Sequence, residues 1–131
     1  MKSFWLSIFA SVLLFSLPAA AHHSFGATYD VSKEIMIKGT IAQVSLRSPH
    51  SFFYVEVPDE KGEPQRWSIE GASASQFAHQ GVTSNIFNVG DTVEVYCNPA
   101  RSASSLRGRL LKITRLADGK SWGGRAGETV Q

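Results

Sequence analysis

Two adjacent histidines, His22 and His23, follow directly on Ala19-Ala20-Ala21. Imidazole nitrogens are ligands for borderline-soft divalent metals, and a free N-terminus strengthens such a site. If the chain is cut after Ala21, His22 offers an α-amine and an imidazole on one residue, a chelating pair. If the cut falls one residue earlier, the order Ala21-His22-His23 puts a histidine at the third position. Amine, two backbone amides and imidazole then form a square-planar set suited to Cu(II). His50, fixed after Pro49, is a further imidazole that joins this site if the segment before the first strand doubles back. Glu70, beside Gly71, supplies either a carboxylate ligand or a group that orients a ligating histidine. The expected metal set is therefore His22, His23, His50 and Glu70, with copper as the cofactor.

Each candidate has a plainer alternative. The paired histidines are also what a solvated terminus tolerates, His50 also suits a turn, and Glu70 also suits an exposed strand end. His79 falls in the last turn of a short helix, where a cation suits the dipole, and is read as structural. Cys97 alternates with Val93 and Val95, so it reads as core and not as a copper thiolate. Phe52 and Tyr54 have the parity of surface residues and form a candidate stacking platform. Arg101, Arg107, Arg109 and Arg115 read as a solvated basic face.

The residues before His22 say where such chemistry would operate. Lys2, an apolar run over residues 4–17 broken by three serines, then Pro18 and three alanines give the basic, apolar, small-residue order of a signal peptide. The run is too short and too serine-broken for a good membrane span. The expected organisation is a signal peptide at 1–21, an extended lead-in at 22–34, a barrel domain at 35–117 and a flexible tail at 118–131. The expected location is periplasmic or secreted, without a membrane span after cleavage.

Loss of Lys2 with the signal leaves 12 basic residues against 11 acidic ones, a net charge of +1. That balance gives no electrostatic warrant for a nucleic-acid partner. The single cysteine forbids an internal disulfide, and about 110 residues suffice for one core without a staple. The chain has no histidine–acid–serine arrangement of recognisable spacing, no Gly-rich phosphate loop and no Cys-x-x-Cys, so no catalytic residue is expected and enzyme is the disfavoured class.

The elements that must position these groups follow from period-two alternation. Ile35, Ile37, Gly39 and Ile41 open a first strand whose phase slips near Gln43, which predicts a bulge or bend. Ser48-Pro49-His50 is a turn. A second strand covers 51–57, the loop 58–64 makes a hairpin, and a third strand covers 65–70. Ser73 caps a two-turn helix that stops at Gly81, with Gln76 in capping-box position. Gly90-Asp91 opens a fourth strand, and a fifth covers 107–116 with Leu111 and Ile113 inward. Three strands, a short helix and two strands is the order of an all-β, five-stranded OB-like Greek-key barrel. A small antiparallel sandwich is the rival.

His22-His23-Ser24-Phe25, Ser48-Pro49-His50, Trp67-Ser68-Ile69-Glu70 and Gly90-Asp91 together resemble a family of small exported bacterial proteins of unknown function. The resemblance covers nearly all of the chain after residue 21 and implies an exported β-rich domain without an established activity. In that pattern the turn reads Asn-Pro-His, and here Ser48 replaces the asparagine. The strand order also resembles periplasmic OB-fold binding modules, a likeness of fold alone. The function these readings favour is an exported small-ligand-binding protein that takes copper or another divalent metal through its N-terminal histidines. The rival is an accessory module docking on an exported protein partner, with no metal. A copper-dependent oxidative enzyme is a third class.

Overall fold

A computed structural model describes residues 25–124. The expected signal peptide at 1–21, His22, His23 and the last seven residues of the expected tail lie outside the described residues.

Strands β1 (Ile35–Ser45), β2 (Phe52–Pro58) and β3 (Pro64–Glu70) form an antiparallel meander. Helix α2 (Ala74–His79) follows, then β4 (Thr92–Pro99), β5 (Arg107–Arg115) and β6 (Ser121–Gly123); a one-turn helix α1 (Phe25–Thr28) precedes them all. The sheet order is β3-β2-β1-β4-β5-β6, and β3 also pairs in parallel with β5. That second pairing, Ser68 with Arg107, Ile69 with Gly108 and Glu70 with Arg109, closes the first five strands into a barrel. The expected OB-like barrel with its helix after the third strand is the observed fold.

The strand that serves both halves of the barrel bends where its hydrophobic phase slips. The β1–β2 register shifts between Ile41 and Gln43, so an extra residue lets Ile41 and Val44 both turn inward. Gly39 sits where β2 crosses so closely that any Cβ would collide with the Glu56 carbonyl. At the closure, a Cβ on Gly108 would lie 2.5 Å from the Cys97 sulfur. Glycine at these two positions lets the backbones approach.

The interior is filled by Ile37, Ile41, Phe53, Val55, Ile69, Val93, Val95, Cys97, Leu110 and Ile113. Cys97 is fully buried as expected, and burial pushes its thiol up to about 12. Helix α2 plugs one end: Phe77 meets Phe53 edge-on at 6.0 Å between ring centroids, and Phe87 meets Phe53 at 6.0 Å. Ser73 caps α2 by accepting the Gln76 N–H at 3.3 Å, and Gly81 follows at φ 86°.

Three expectations need correction. The lead-in is not simply extended: residues 25–28 make a helical turn, and Tyr29, 1 % exposed, bridges to Ala100 and belongs to the buried core. The inward residues of β5 are Leu110 and Ile113, with Leu111 only half-buried. A register shift between Tyr96 and Cys97 leaves Leu111 without a partner in β4 and breaks the alternation. Residues 118–124 are not a flexible tail either. Asp118-Gly119 turns the chain back into β6, whose Trp122 stacks edge-on against Phe77 at 4.8 Å.

Candidate ligand site at the barrel rim

The closure of β3 on β5 fixes Glu70 at the rim, and the Ser48-Pro49 turn delivers His50 to the same place; the Ser48–Pro49 peptide is cis. His50 Nδ1 lies 3.6 Å from Glu70 Oε1. That is an electrostatic contact, longer than a hydrogen bond. The other carboxylate oxygen, Oε2, accepts the Tyr29 hydroxyl and faces Arg107 Nη2 at 3.6 Å. Glu70 is thus engaged on both oxygens, and its side chain is only 12 % exposed. Burial, followed by the bond to Glu70 and its charge, drives ionisation of the Tyr29 phenol above its ordinary range; Arg107 pulls the other way with less effect.

The four arginines read as a solvated face have specific work. Arg101 Nε donates to the Gly26 carbonyl at 2.7 Å, Arg109 covers the Phe25 ring at 4.5 Å, and Arg107 reaches both Tyr29 and Glu70. These three hold residues 25–30 across the barrel end as a strap. The Asp30 N–H adds a bond to Pro99 at 2.9 Å, and Asn98 donates to the Lys33 carbonyl at 2.7 Å. Arg115 is paired elsewhere, with Asp118 at 2.8 Å and Asp91 at 3.5 Å. Nothing in the spacing of these arginines announces the strap, because the contacts of Arg101 and Arg107 with it span 75 and 78 residues.

The strap brings Phe25 against the His50 ring, edge-on at 5.5 Å. Phe25, His50 and Glu70 line an open groove of about 710 Å³, which also takes in Arg109, Lys112 and Trp122. Two of the four expected metal residues, His50 and Glu70, are therefore brought together. His22 and His23 lie outside the described residues. Among the described residues no group of three or more His, Cys, Asp or Glu side chains converges, so Glu70 and His50 are a pair and not a complete ligand set.

The remaining candidates are elsewhere. His79 is exposed and its Nδ1 is 2.8 Å from the Ser75 carbonyl one turn back. Phe52 and Tyr54 stack at 6.2 Å on the outer face of β2, with the Arg47 guanidinium 5.4 Å from the Phe52 ring. Sequence reasoning missed Arg107, Arg109, Lys112 and Trp122 as rim residues. Of these, only Trp122 carried a local signal, an aromatic two residues after the Asp118-Gly119-Lys120 turn.

Fold and site together define a single OB-fold barrel with an N-terminal strap and a rim groove. The chain belongs to a family of unknown function (DUF6152), whose model matches residues 10–108. That span contains the paired histidines, the Ser-Pro-His turn and Glu70. No curated protein matches the chain. Among solved structures it is similar to the mitochondrial single-stranded DNA-binding protein Rim1 of S. cerevisiae, at 16% identity and a TM-score of 0.48, over 64% of this chain and 93% of that one. The OB-fold assignment rests on this chain's own strand order and its β3–β5 closure. Among the described residues no helix is long and apolar enough to cross a membrane.

Proposed function

We propose that this is an exported binding protein, not an enzyme, that takes copper or another divalent metal with His22, His23 and His50, Glu70 acting as the group that orients His50. The observation that carries the reading is the seating of Phe25 on the His50 ring at 5.5 Å. His23 stands two residues before Phe25 and His22 three, so covalent reach keeps their Cα atoms within about 7 and about 10 Å of the Phe25 Cα. Covalent reach from a strap held by three arginines therefore allows these two imidazoles to approach a third. Glu70 beside Nδ1 favours the tautomer that leaves Nε2 of His50 free for metal, the usual arrangement behind a ligating histidine. With Tyr29 and Arg107 already on its other oxygen, Glu70 serves better as that partner than as a ligand.

The test is Cu(II) calorimetry on the exported protein, its start fixed by intact mass. A start at His22, or at Ala21, supports the reading, and retention of residues 4–17 overturns it. One residue added before His22 should weaken binding sharply. Glu70→Gln should weaken it about 10-fold or more, and His50→Ala should lose at least as much. Binding should disappear as pH falls and the imidazoles protonate. Equal affinity in the extended and native forms removes the N-terminal site. The docking reading would then take over, favoured by the stacked Phe52–Tyr54 pair that β2 presents with Arg47.

A further inference from the structure

The break in alternation along β5 has a chemical result. Arg109 and Lys112 are three residues apart, and on a regular strand they would face opposite sides. The extra residue, Leu111, places Leu110 and Ile113 both inside and lets Arg109 and Lys112 both line the rim groove. Bulges commonly re-aim side chains in this way. Neither cation forms an ion pair among the described residues. Two carboxylates also line the groove. Glu70 is already engaged by Arg107, Tyr29 and His50, which leaves Glu34 alone against two cations that have no ion-pair partner among the described residues.

The walls beside the cations are apolar and fixed. Trp122 donates its indole N–H to Gln80 Oε1 at 3.0 Å and packs edge-on against Phe77, so its polar edge is satisfied while its ring remains half-buried at the groove. Phe25, which also lines the groove, lies under Arg109 at 4.5 Å. A volume of about 710 Å³ lies within the range that small organic ligands occupy.

We infer that the groove binds a small amphipathic carboxylate, its flat apolar body against Trp122 and Leu111 and its carboxylate between Arg109 and Lys112. The inference does not rest on metal binding, and its test is run on the protein held in a chelator. Calorimetry with 2-naphthoate should give saturable binding, 2-naphthylmethanol should bind about tenfold more weakly or worse, and 2-naphthylmethylamine more weakly still. Lys112→Gln should lower naphthoate affinity several-fold and leave the alcohol unchanged. Arg109 also covers Phe25, so Lys112→Gln is the cleaner variant, with an unchanged thermal transition as its folding control. Equal binding of acid and alcohol, unchanged affinity in Lys112→Gln, or no saturable binding would overturn the inference. So would displacement of naphthoate by an equal concentration of inorganic phosphate, since the apolar wall would then contribute nothing. Binding that appears only after copper is added would transfer the anion to the metal site and also overturn it. Failure of copper to bind leaves the naphthoate result untouched.

Discussion

The barrel interior and the strapped rim are built by different physics. Inside, Phe53, Phe77, Phe87 and the aliphatic residues around them are at most a few per cent exposed, and their contacts are non-directional. At the rim, residues 25–30 are held mostly by directed bonds: Arg101 to a carbonyl, Arg107 and Tyr29 to one carboxylate, Arg109 over one ring. Tyr29 is the link, since its ring is buried with the barrel while its hydroxyl belongs to the rim network. A non-directional core degrades gradually when one side chain is trimmed. A polar network loses a partner outright and leaves the other groups unpaired.

The largest effect is nonetheless expected in the interior, where removing one whole buried ring outweighs the loss of one polar partner. Phe77→Ala removes a fully buried ring that touches both Phe53 and Trp122, and should cost about 3–5 kcal/mol in denaturant unfolding. Because Trp122 borders the groove, the same variant should loosen that wall. A cost under about 1 kcal/mol would mean that α2 does not plug the barrel as described.

A smaller and more local effect is expected at the rim. Glu70→Ala strips the Tyr29 hydroxyl and Arg107 of their shared acceptor, at a cost of about 1–3 kcal/mol. Hydrogen exchange should rise in residues 25–34 well before it rises in β1–β4. Uniform acceleration across the barrel would show that strap and barrel unfold as one unit, and the contrast between the regions would be lost.

The two regions also differ in how far they could be read from the chain. Period-two alternation reports which face of a strand is buried, so the interior residues of β1, β2 and β4 were legible, as was the slip near Gln43 that became the β1 bulge. The β5 face was misread because the adjacent Leu110 and Leu111 fit either parity, and which of them points inward is decided by the pairing with β4, where Leu111 is skipped between Tyr96 and Cys97. His50 and Glu70 were legible as chemistry-bearing groups flanking the second and third strands, which an antiparallel hairpin returns to one end. The strap was not. A basic residue on a strand looks alike whether it faces solvent or, like Arg107, grips a segment 78 residues away, and only the closed barrel shows which. Tyr29 showed only as an aromatic in a polar stretch, and its bridge to Ala100 depends on the β4–β5 connection lying beside it.

The smallest expected effect sharpens the comparison at its link. Burial and Glu70 raise the Tyr29 phenol above its unfolded value near 10, so the folded state favours the protonated form. Below pH 10 both folded and unfolded chains carry the proton, and the full stabilisation is present. As pH rises past 10 the unfolded chain releases its proton while the folded chain retains it, so unfolding gains a driving force and stability falls. Tyr29→Phe should cost only about 1 kcal/mol at neutral pH, because the ring stays buried and one hydrogen bond is lost. The same variant should flatten the alkaline decline, since the group that titrates is gone. Thermal unfolding of both forms between pH 8 and about 11.5 measures it. An alkaline decline of equal steepness in Tyr29→Phe would assign the loss to other groups, and would mean that Tyr29 joins the rim network without coupling it to the stability of the barrel.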